Sequence, residues 1–183
     1  MPAIVALAGR RIDAPDARPS RFPLANADAV RERIRDVLVR RGATTLVSSA
    51  ACGADLVAIE AARELGLRCV FVLPFARHRF RAISVVDRPG ADERWGPAFD
   101  RLLRELPRGD VIVLGGNGEG AAAFAAANER ILGEALGLAG ASGADAVAVI
   151  AWDGVPRGGD DLTAQFADAA GRRGMTVEEL STL

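Results

Sequence analysis

Short apolar runs rich in β-branched residues alternate along the chain with longer stretches in which apolar residues return every three or four positions. The runs predict strands at residues 3–7, 45–49, 68–73, 111–114, 146–151 and 176–180. The longer stretches predict helices at 26–41, 54–65, 96–105, 120–139 and 162–173. The first helix is the plainest: Ala27, Val30, Ile34, Val37 and Leu38 share one face, and Arg31, Glu32, Arg35 and Asp36 share the other. Gly42, Gly66 and Gly174 stand where a helix ends and a strand follows at once. Such alternation predicts an α/β three-layer sandwich with a mainly parallel central sheet. No repeat or Pro/Ser/Gly-rich linker marks a second domain, so a single domain over residues 1–183 is expected.

Two connections are too long for simple links, residues 9–24 and 74–95. Both leave the carboxyl end of a predicted strand, which is where open, Rossmann-like sheets hold their ligands.

Composition narrows the field. Half of the 183 residues are apolar and 26% are charged, the balance of an ordinary globular protein. Net charge is −1 and the basic residues, all 23 of them arginine, are dispersed, so nothing favours a nucleic-acid partner. No run nears the roughly 18 apolar residues that span a bilayer, and the first residues do not resemble a secretory signal. A cytoplasmic protein without a membrane partner is expected. Cys52 and Cys69 lie in apolar surroundings and read as small buried hydrophobes. His78 has no partner at ligand spacing, so neither a metal nor a cofactor is expected. Trp95 and Phe99 read as packing groups. No Gly-x-Ser-x-Gly, Walker A or His/Cys cluster occurs.

The strongest local signal is the strand, turn and helix of residues 46–62. Ser48, Ser49, Ala50, Ala51, Gly53 and Ala54 are small, so backbone amides there can approach a ligand, and the following helix turns its positive end towards an anion. Equally, the small residues serve to pack strand on helix, with Asp55 complementing the helix dipole; spacing does not separate the two readings. Gly9, Arg10 and Arg11 follow the first strand, and the guanidinium groups suit a two-point phosphate clamp as well as they suit surface ion pairs. The strand ending in Trp152, Asp153 and Gly154 leads through a glycine-bearing loop to a helix entered by Asp160, Asp161 and Thr163. Thr163 suits a helix cap, or its neighbouring amides suit a phosphate. The acids repel a phosphate at that point, so a ribose hydroxyl or a base amine is the better partner for Asp160 or Asp161. The turn 114–120, with Gly115, Asn117 and Glu119, carries a weaker signal.

The stretch 48–62 resembles the signature of the SLOG superfamily, which includes the DNA-processing (Smf/DprA) proteins and the LONELY GUY hydrolases. Ser48, Ala51, Gly53 and Asp55 keep the spacing of the DNA-processing motif Ser-Gly-x-Ala-x-Gly-x-Asp. Gly9-Arg10-Arg11, Leu73-Pro74-Phe75 and Trp152-Asp153-Gly154 extend the resemblance to an uncharacterised bacterial branch often found beside signalling domains. That branch has Gly-Gly-Thr where this chain has Asp161-Leu162-Thr163, and the hydrolases carry a glutamate nearby where this chain has Gln165.

The resemblance implies a pocket for a nucleotide or a nucleotide-derived phosphate ligand, with Asn128 facing it. It also allows a homodimer. The expected function is a sensor or binding module with Arg10, Arg11 and the 48–54 turn on phosphate, and Asp55, Asp153 and Thr163 on ribose or loop. The alternative is a nucleoside 5′-monophosphate phosphoribohydrolase that releases a free base, for which Asp55, Glu60, Glu119 or Asp153 would supply the carboxylate. The departures weaken that alternative.

Overall fold

A computed structural model of the chain describes residues 1–115 and 120–183. Among them, six strands form one sheet: β1 (Ala3–Gly9), β2 (Ala43–Ser48), β3 (Arg68–Leu73), β4 (Val111–Val113), β5 (Asp145–Trp152) and β6 (Thr176–Ser181). All neighbours are parallel and the order is β4-β3-β2-β1-β5-β6. The protein is an α/β three-layer sandwich with a Rossmann-like parallel sheet.

The two faces of the sheet separate by residue parity, as the pleat requires. Val5 and Leu7 of β1 join Val147 and Val149 of β5 under α1 (Ala27–Arg40) and α2 (Ala54–Glu64). Ile4, Ala6 and Ala8 join Ala148 and Ile150 under α5 (Ala121–Ser142) and α6 (Leu162–Arg172). β1 is buried on both faces, which is why its sequence is a continuous apolar run rather than an alternation. It also runs two residues beyond the expected Leu7, because Ala8 and Gly9 pair with Ile150 and Ala151.

The connection at residues 74–95 is not irregular chain. It holds the short helix α3 (Arg77–Phe80) and two wide helical turns, Arg81–Val85 and Ala91–Trp95, ahead of α4 (Gly96–Glu105). Phe80, Val85, Trp95 and Phe99 fasten this segment into the core on the α2 side, so Trp95 and Phe99 do pack as expected. Cys52 and Cys69 are free thiols and both are buried.

Successive strands step outwards from β1 to β4, and α5 then carries the chain back across the sheet to β5 on the other side of β1. The chain therefore reverses direction between β1 and β5. In open parallel sheets a crevice opens beyond the carboxyl ends of the two strands flanking such a reversal.

Candidate functional site

A cavity of about 440 Å³ lies at that reversal, within the size range of small-molecule sites. Its floor is the end of β1, Leu7 to Arg11. One wall is Ser49, Ala51 and Asp55 of the β2–α2 turn, together with Phe80. The opposite wall is Phe124, Ala127, Asn128 and Ile131 of α5, and the rim is Arg157 and Asp160 to Thr163. Phe124, Asn128 and Ile131 reach it from one helix face, spaced by four and three residues.

Of the residues singled out from sequence, Gly9, Arg10, Arg11, Ser49, Ala51, Asp55, Asn128, Asp160, Asp161 and Thr163 line this cavity. Ser48, Ala50 and Ala54 are buried behind the wall, and the Ser48 hydroxyl donates to the Ser49 carbonyl (2.8 Å). Pro74 and Phe75 are buried as well; Phe75 packs edge-on against Phe124, with 5.6 Å between ring centres. Trp152 and Asp153 act on the site only through Arg10, while Gly115 and Gly154 are exposed and away from it. Asn117 and Glu119 lie outside the described residues.

Three amides of the β2–α2 turn are engaged within the chain. The Ala51 amide donates to the Asp55 carboxylate (3.2 Å), that of Cys52 to the Ser84 carbonyl (2.9 Å) and that of Ala54 to the Arg10 carbonyl (3.0 Å). Gly53 pairs with Arg11 in an isolated antiparallel bridge at a φ of 109°, and a Cβ there would stand 2.7 Å from both the Arg10 oxygen and the Ile12 nitrogen. A Cβ on Gly9 would stand 2.4 Å from the Ala151 oxygen. Both glycines are required by backbone packed on backbone, as the packing reading of the turn expects.

Asp55 ends in the cavity wall with little else to hold its charge. Burial pushes its carboxyl up to about 7, against the opposing pull of the Ala51 amide and of Arg11. At neutral pH it is poised between acid and carboxylate.

Arg10 is buried, and each of its three nitrogens has a partner within the protein. Its Nε donates to Asp153 (2.8 Å), Nη1 to Asp161 (2.8 Å) and Nη2 to the Val155 carbonyl (2.7 Å), and its guanidinium lies 5.5 Å from the Trp152 ring centre. Arg21 closes the network on the other oxygen of Asp153 (2.5 Å). The expected phosphate clamp of Arg10 is thus a clamp on two of the protein's own carboxylates. Arg11 pairs with Asp87 and touches the Cys52 sulfur (3.5 Å).

The cap of α6 also differs from expectation, since Asp161 and not Thr163 serves it. The Asp161 carboxylate accepts from the amides of Thr163 (2.9 Å), Ala164 (3.3 Å) and Arg157 (2.7 Å). Burial works against the charge, but the Arg157 amide and Arg10 outweigh it and hold this carboxyl below the ordinary aspartate value.

The residue that sequence reasoning missed is Arg157. It lies on the rim and, among the described residues, no carboxylate pairs with its guanidinium. It is exposed; desolvation and the neighbouring Arg10 and Arg21 lower its affinity for its own proton, against the opposing pull of Asp161 and Asp153. The only trace in the sequence is its place in the glycine-bearing loop 154–159.

Among the described residues no group of three or more His, Cys, Asp or Glu side chains converges as a metal site, and no helix is long and apolar enough to cross a membrane. The cavity can therefore offer one cation without an ion-pair contact, two carboxyls able to accept from hydroxyl or amine groups, and an aromatic and aliphatic interior. No family model matches the sequence, and no curated protein matches it.

Proposed function

We propose that the chain is a SLOG-type binding module that takes a nucleotide or nucleotide-derived phosphate ligand in this cavity. The observation that carries the reading is the position of Arg157 and Asp55 on a roomy, part-apolar cavity at the β1–β5 reversal. The base packs among Phe124, Ile131 and Leu162, the anionic group meets Arg157, and ribose hydroxyls or a base amine meet Asp55, Asp160 and Asn128. Arg10, held on Asp153, Asp161 and the Val155 carbonyl, fixes the floor of the site, while Arg11 lines the cavity and keeps its Nε free for the ligand. Isothermal titration against nucleoside mono- and diphosphates, cyclic dinucleotides and ADP-ribose derivatives tests the reading. Binding that weakens at least tenfold in Arg157→Ala supports it; silence of the folded protein across the panel removes it.

The hydrolase alternative has one observation in its favour, a carboxyl in the cavity wall with a pKa of about 7, the range suited to moving protons at neutral pH. It would protonate or deprotonate at Asp55 while water adds to the anomeric carbon and the bond to the base breaks. Asp153, gripped by Arg10 and Arg21, is poorly placed for that role. Incubation with AMP decides the matter: adenine released by the wild type and not by Asp55→Asn makes the chain an enzyme, and no release leaves it a binding module.

A further inference from the structure

Charge pairing around the cavity points to a narrower ligand class, and the inference rests on the nucleotide reading above. We infer that the cavity is matched to a nucleotide-like ligand with one negative charge, such as a phosphodiester, and that Asp161 is the specificity-determining residue that bars a second oxyanion.

Three observations lead there. First, the cations are nearly all answered. Arg10 is shared between Asp153 and Asp161, Arg21 faces Asp153, and Arg11 faces Asp87, which leaves only Arg157 without an ion-pair contact among the described lining residues; Asp161 and Asp153 act on it from farther off and are already engaged by Arg10. One anionic group satisfies it.

Second, the donor set that would greet a further oxyanion is already filled from within. Two backbone amides at the start of an 11-residue helix, the Arg157 amide of the preceding loop and one guanidinium nitrogen converge on a point, a combination well suited to a phosphate oxygen. Here they converge on the Asp161 carboxylate, which is 5% exposed. A ligand phosphate cannot share those donors without expelling a buried, ionised side chain.

Third, the carboxyls that remain available are acceptors. Asp160 is exposed on the rim, and Asp55 in the wall is ionised only above about pH 7, so at the pH of the test below a second negative charge meets repulsion from both. A phosphomonoester carries between one and two charges at neutral pH, because its second ionisation falls near 6. A phosphodiester carries one.

Isothermal titration at low ionic strength and pH 7.5 tests the assignment, with 3′,5′-cyclic AMP and GMP, AMP and GMP, ADP and GDP, and the two free nucleosides as probes. For the base that fits, affinity is expected to fall from cyclic monophosphate to open monophosphate to diphosphate, by about tenfold per added charge. Arg157→Ala is expected to bring the cyclic nucleotide down to the level of its nucleoside. Asp161→Asn keeps a capping side chain and is expected to raise the diphosphate relative to the cyclic nucleotide. Asp160→Asn, on the exposed rim, is expected to move the order the same way by less, and it serves if the Asp161 variant does not fold. A wild-type protein that binds diphosphate as tightly as cyclic nucleotide overturns the inference and leaves the nucleotide reading standing. So does an order untouched by either aspartate variant. Binding of nucleosides alone overturns the single-charge assignment, and silence towards all eight probes removes the nucleotide reading and this inference together.

Discussion

The β2–α2 and β5–α6 turns are written in similar local terms. Each leaves the carboxyl end of a parallel strand, passes small residues, and enters a helix with an aspartate at its start. They end in opposite electrostatic states. Asp55 has a single amide partner and only a distant arginine, so burial prevails and the carboxyl holds its proton up to about pH 7. Asp161 is buried too, yet three amides and Arg10 keep it ionised. The difference lies first in the Arg157 amide, four positions away, and then in Arg10, 151 positions away in sequence. A helix-start carboxylate does not declare its own protonation state; the partner delivered by the fold does.

The largest test of the comparison is to remove that partner. Arg10→Met leaves Asp153 with only Arg21 and Asp161 with no cation, and stability measured by urea unfolding is expected to fall by about 5 kcal/mol, the upper end for breaking a buried ion pair. A loss under about 1 kcal/mol, typical of exposed pairs, would mean that the network does not distinguish the two turns.

Next in size is the pH dependence of Asp55. The unfolded carboxyl releases its proton near 4 and the folded one near 7, so between those values the folded state binds more protons and stability falls as pH rises. The three-unit difference corresponds to about 4 kcal/mol over that window. Asp161 behaves oppositely and elsewhere, because its lowered value gives stability above about pH 4 that is lost on the acid side. Denaturant unfolding between pH 4.5 and 8 is therefore expected to show a falling limb that Asp55→Asn flattens. Identical profiles for wild type and variant would sink the contrast.

The smallest test compares glycines. Gly53→Ala forces a Cβ onto the Arg10 and Ile12 backbone at a left-handed φ, and a loss of about 2–3 kcal/mol is expected. Gly159→Ala, in the other turn, meets open space and is expected to stay within about 0.5 kcal/mol of wild type. Thermal melts of the pair would show whether the first turn is the tighter in solution.

The elements were legible because they depend on local pattern. Apolar runs gave every strand, and the three-to-four spacing gave five helices with ends displaced by a few residues. The segment 74–95 was read as a loop because its helical turns are short and arginine-rich, and their apolar members show their role only once Phe80 and Trp95 meet the core. At the site, the sequence marked ten residues that do line the cavity, Asp160 and Asp161 among them. It could not show that Asp161 caps α6, that every nitrogen of Arg10 has a partner within the protein, or that Arg157 has no ion-pair contact.

What the sequence determined alone was the layering: which stretches are strands, which are helices, and that ligand-facing turns lie at the strands' carboxyl ends. Periodicity encodes this because each element must bury one face. What only the tertiary structure decided was charge: which guanidinium meets which carboxylate, and hence which cation remains for a ligand. Ion pairing depends on ångström distances and on burial between residues up to 151 positions apart, and a linear pattern carries neither quantity.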